Sequence, residues 1–144
     1  MSSFAPLGYK FNTLSSITTT ARRVSLRNMQ GVTFTVVGAT AATGLTITEA
    51  NAATGGTSQT LAGTFVYYTM ASGAGVWVRQ TAAASGSINT IAAAAASLSV
   101  FVPAGALSDG FAYVAASHAT GTIVYIGEGL AYQRFPQNLA DWTV

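Results

Sequence analysis

The stretch Val24–Ala50, VSLRNMQGVTFTVVGATAATGLTITEA, constrains the fold more than any other part of the chain. Val32, Phe34 and Val36 alternate with Thr33 and Thr35, and after a Gly38–Gly44 connection Leu45 and Ile47 alternate with Thr46 and Thr48. A period of two, apolar inside and β-branched hydroxyl residues outside, predicts antiparallel strands buried on one face. The stretch therefore reads strand, turn, strand, loop, strand.

Further strands follow. Phe65–Met70 (FVYYTM) is apolar on both parities and predicts a strand buried on both faces. Ala71–Gly75 is a hairpin connection before Val76–Arg79. Ile88–Ile91 is a short candidate strand, and Ala92–Ala96 forms at most one helical turn, because five alanines cannot nucleate a helix alone. Leu98, Val100 and Val102 alternate with Ser97, Ser99 and Phe101 until Pro103 ends the strand. Asp109-Gly110 is a turn pair before Phe111–Ala116, and Thr122–Ile126 continues into Glu128–Gln133 past a bulge near Gly127 and Gly129. About eight short strands near ten residues apart predict an all-β antiparallel sandwich or barrel, jelly-roll or immunoglobulin-like. The expected organisation is an extended N-terminal arm over 1–20, a β domain over 21–133 and a C-terminal tail over 134–144.

Composition narrows the function classes. Of 144 residues, 50% are hydrophobic but only 7% are charged, against about 25% in ordinary soluble chains. Such a surface is uncharged without being greasy, as expected where much of it faces other protein. The net charge of +2 gives no nucleic-acid footprint, and the absence of cysteine removes disulfides and thiolate metal sites. The charge-free interval from Arg79 to Asp109, matched in length by Glu49 to Arg79, contains Ser85, Gly86, Ser87, Asn89 and Pro103, poor material for a membrane span. No secretory signal is expected in Met1–Asn12.

Chemistry-bearing residues are sparse. His118 is the one histidine, in a SHATG turn with Ser117 beside it, and reads as a polar loop residue. Glu49 and Glu128 could face each other as a glycosidase pair requires, but read as charges at strand ends. No Asp-rich loop or phosphate loop is present. The aromatics Tyr67, Tyr68, Trp77, Phe101, Phe111 and Tyr113 read as core. The expectation is a non-enzyme with no catalytic residue, cofactor, metal or small-molecule substrate. Contact residues are expected in the arm (Phe4, Leu7, Tyr9, Phe11), in the basic cluster Arg22, Arg23 and Arg27, and in the tail (Phe135, Leu139, Trp142).

The run ARRVSLRNMQGVTFTVVGATAATGLTITEANAATGG resembles small virion proteins of tailed bacteriophages, in which a VTF-type strand precedes a TIT-EA segment. FVPAGALSDGFAYVAAS resembles their P-A-x-L-x-D-G-F-x-Y-V segment, and TFVYY followed by GVWV their aromatic strand pair. The resemblance spans Ala21–Ile126. It implies a capsid decoration (cement) protein, assembled in the host cytoplasm into the virion as a homotrimer on the major capsid protein. From charge and composition no nucleic-acid or membrane partner is expected. A tail-tube or neck ring subunit is the structural alternative. A carbohydrate-binding module using Tyr68, Trp77 and Tyr113 is the alternative from another class.

Overall fold

A computed structural model of the chain describes residues 11–17, 22–39, 44–88 and 96–129, with the backbone alone over 11–17. Among these residues the architecture is an antiparallel β-sandwich, not a closed barrel. One layer is a six-stranded sheet ordered β1 (Phe11–Ile17), β13 (Thr122–Glu128), β3 (Gly31–Ala39), β11 (Ala96–Pro103), β7 (Tyr67–Met70) and β8 (Val78–Arg79). The other is ordered β10 (Ser87–Ile88), β4 (Leu45–Ala50), β12 (Tyr113–Ser117) and β2 (Val24–Ser25), with β5 (Ser58–Thr60) also paired to β4. A small third sheet pairs β6 (Ala62–Phe65) with β9 (Ala83–Ser85). The strand count exceeds the expected eight because several strands are two to four residues long.

The alternation over Val24–Ala50 sets the layers. Val32, Phe34 and Val36 of β3 point inward with Leu98, Val100 and Val102 of β11 and Ile123 and Tyr125 of β13, and all are buried. Leu45 and Ile47 of β4 and Val114 and Ala116 of β12 meet them from the other layer. Phe34 and Tyr125 make an edge-to-face pair at 4.8 Å. Burying each such side chain contributes about 1.5–3 kcal/mol. The Tyr125 hydroxyl donates to the Ala116 carbonyl at 3.0 Å, so one phenol ties the two layers together.

Three expectations are corrected. Phe65–Met70 is not one doubly buried strand. Val66 separates β6, in the small sheet, from β7, in the six-stranded sheet, which leaves Phe65 in the core and Tyr68 exposed. Of the six aromatics read as core, only Tyr67 packs against it, on the inward parity of β7 opposite Val100. Tyr68, Trp77 and Phe101 are exposed and Tyr67, Phe111 and Tyr113 half-buried, while Phe34, Phe65 and Tyr125 fill the interior. Parity is the reason for two of them: Tyr68 and Phe101 fall on the outward positions of strands whose inward ones face the other layer. The segment expected as an arm over 1–20 holds a sheet strand, since Phe11–Ile17 pairs with β13 along its whole length, from Phe11 opposite Glu128 to Ile17 opposite Thr122. His118 stands in the β12–β13 connection, as a loop residue should, and is buried there.

Local turns follow the expected chemistry. The Phe111 amide donates to the Ser108 carbonyl at 3.0 Å, and Gly110 takes the left-handed conformation that the turn demands (φ 82°). Gly31 is needed for space rather than conformation. A Cβ there would sit 2.5 Å from the Phe101 ring and 2.5 Å from the Val102 carbonyl oxygen. The ring of Phe101 therefore lies over the β3 backbone.

Candidate functional site

Two places concentrate side chains that could act. The first is the end of the sandwich around Glu49. This carboxylate shares the inward parity of Leu45 and Ile47 and is fully buried. It accepts from Gln59 Nε2 at 2.6 Å, from the Ser108 amide at 2.7 Å and from Ser108 Oγ at 2.6 Å. Burial pushes its pKa up, but the hydrogen bonds from Gln59 and Ser108 outweigh it and hold the carboxyl below its ordinary value of 4.5. A charge read as marking a strand end is thus an internal cap. It fastens the loop after the 3-10 turn Ala104–Ala106, and β5, to the mouth of the sandwich. Glu128 lies on the other layer, on the outward face of β13, where it accepts from Thr33 Oγ1. The two glutamates therefore do not face each other across a cleft.

The basic cluster is also partly internal. Arg23 Nη1 donates to the Ala52 carbonyl at 2.9 Å and to the Gly55 carbonyl, bracing the loop between β4 and β5. Arg22 is half-buried, and its charge partly offsets the upward push that burial gives the Tyr125 phenol. Arg27 alone of the three is exposed. Phe11 stands at the start of β1, and Phe4, Leu7, Tyr9, Phe135, Leu139 and Trp142 lie outside the described residues.

His118 Nδ1 sits against Thr120. One tautomer donates to the Thr120 carbonyl (2.6 Å), the other accepts from the Thr120 amide (3.2 Å). The ring serves to lock this turn beside an open polar hollow of about 360 Å³ lined by Gly44, Thr46, Ser117 and Ala119. No cluster of three potential metal ligands occurs among the described residues. Nor does any helix of the described residues have the length and apolarity to cross a membrane.

The second place is the outward face of the six-stranded sheet, which reasoning from the sequence located only as Thr-lined. Thr33, Thr35 and Val37 of β3 stand beside Ser99 and Phe101 of β11 and Val124 and Ile126 of β13. Thr35 Oγ1 and Ser99 Oγ lie 3.1 Å apart in a cross-strand hydroxyl pair. Val37, Tyr68 and Phe101 are 47%, 42% and 42% exposed, which is high for large apolar side chains in mid-sheet. At one end Tyr68, Phe101, Phe65, Val66, Pro103 and Ala106 border a groove of about 430 Å³. Its signal in the sequence was Phe101 on the serine parity of its strand; Tyr68, in a run apolar on both parities, gave none. The platform of Tyr68, Trp77 and Tyr113 does not form: Tyr113 pairs with Ser25 and Ala50 in the opposite layer.

Comparison with known proteins returns no matching family model, curated protein or solved structure.

Proposed function

We propose that this chain is a structural assembly subunit, a homo-oligomeric decoration protein that binds the outer surface of a tailed-phage capsid and braces contacts between its subunits. The observation that carries the reading is the outward face of the six-stranded sheet. It is broad, made of hydroxyl, β-branched and aromatic side chains, and within its strands it bears charge only at Glu128 and Arg79. A face of this kind resists burial less than a charged one, because few ions lose their water when another protein covers it. The proposed mechanism is binding energy alone, from apolar contact and hydroxyl hydrogen bonds, with the capsid protein as partner. The sequence resemblance over Ala21–Ile126 supplies the virion context.

The test is sedimentation with filled heads that lack this protein. Stoichiometric co-sedimentation with raised resistance of the heads to heat is the expected result. Heads that sediment bare at saturating protein would end the capsid reading.

A further inference from the structure

We propose that the outward face of the six-stranded sheet is a contact between two copies of this chain, related by a two-fold axis passing over Phe101. The proposal rests on the homo-oligomeric part of the reading above and not on capsid binding.

The placement of the two charges on this face carries it. Arg79 lies opposite Tyr68, Tyr68 opposite Ser99, Ser99 opposite Thr35 and Thr35 opposite Val124, so Arg79 and Val124 share one row across five strands. Four inter-strand gaps separate them, about 19 Å. Glu128 stands four residues beyond Val124 on β13, about 13 Å along the strand. Arg79 therefore sits on the β8 edge and Glu128 at the end of β13, on opposite sides of the face, both exposed. Midway between the two charges, two strands in from β8 and two residues along from Ser99, is Phe101.

A two-fold axis demands that a patch be complementary to itself. A rotation about an axis lying over Phe101 can lay Arg79 of each copy against Glu128 of the other, and the two phenyl rings against one another. The surface between is hydroxyl and apolar, so no further charge is left unpaired within the contact. The sheet spans about 24 Å across five gaps and about 20 Å along its strands. With side-chain relief that reaches the low end of stable interfaces, near 600 Å² per partner. An exposed aromatic at the centre of such a patch, with polar and charged residues around it, is the usual distribution of binding energy in an interface. The contact sets a dimer or an even multiple of it, in place of the trimer that the resemblance implies.

Sedimentation equilibrium of the isolated full chain over about 1 to 200 μM tests this. The expected species is an even-numbered assembly. Arg79→Glu and Glu128→Arg should each weaken the dimer about tenfold, and the double variant R79E/E128R should return it to within about threefold of the parent. Because the chain has no cysteine, Phe101→Cys adds a second readout: residues on the axis face each other across about 10 Å, the spacing of stacked sheets, and should be joined into a covalent dimer by a short bismaleimide. A monomer throughout the range, a trimer, charge variants without effect, or a Phe101→Cys chain that stays single would each overturn the proposal. So would a monomer that dimerises only after removal of residues 130–144, which would assign the face to that tail. Shell binding is read on heads and self-association on the free protein, so either reading can fail alone.

Discussion

The two faces of the six-stranded sheet share strands, backbone and a near absence of charge, yet they do opposite things. On β3 the inward set is Val32, Phe34 and Val36, all fully buried, and the outward set is Thr33, Thr35 and Val37, half-buried to exposed. On β11 Leu98, Val100 and Val102 face in, while Ser99 and Phe101 face out. Missing charge inside means core. Missing charge outside leaves a surface with little desolvation cost, suited to contact rather than to solubility. A scarcity of charged residues is therefore two signals, and only the parity of each strand separates them.

The comparison is sharpened by substitutions on each side. The largest effect is expected inside: Phe34→Ala removes the edge-to-face partner of Tyr125 and opens a cavity, and should cost about 3–5 kcal/mol in urea unfolding. Glu49→Gln tests the one carboxylate on the inward parity. The amide cannot accept from Gln59 and from both Ser108 donors, so a loss of about 1–3 kcal/mol at neutral pH is expected. Its pH dependence has a definite sign. The folded pKa lies below the ordinary 4.5, so the unfolded chain binds the proton first; the stabilisation is full above 4.5 and is lost as pH falls through the folded value. Unfolding curves from pH 7 to pH 3 should show this loss in the parent and a flatter acid limb in Glu49→Gln.

Tyr125→Phe keeps the ring and deletes the hydroxyl that reaches Ala116, and about 1 kcal/mol should be lost with little change in the denaturant slope. The smallest effect is expected outside. Thr35→Ala, which breaks only the hydroxyl pair with Ser99, should shift monomer stability by less than about 0.5 kcal/mol. A Thr35→Ala loss as large as that of Phe34→Ala would break the distinction between the faces, because the outward side would then belong to the fold.

Much of the architecture is legible in the residues. The alternation in Val32–Val36, Leu45–Thr48 and Leu98–Val102 states which side chains face in, because a strand has no other way to segregate them. The turn at Asp109-Gly110 and the strand end at Pro103 are equally plain. The site is less so. Phe101 and Tyr68 look like core by residue type, and only the pairing of β11 with β3 and β7 shows that their row is the outward one.

Glu49 looks like a surface charge until Ser108, 59 residues away, closes over it. Arg23 looks like part of a basic patch until the carbonyls of Ala52 and Gly55 take its guanidinium. The sequence by itself determined the element type, the inward set of the cleanly alternating strands and the poverty of charge, since these follow from local period and composition. Tertiary structure alone decided where the chain changes sheets at Val66, which charges are internal and that Arg79 and Glu128 lie on opposite sides of one face. Those outcomes depend on which distant strands become neighbours, and no local pattern encodes the register between them.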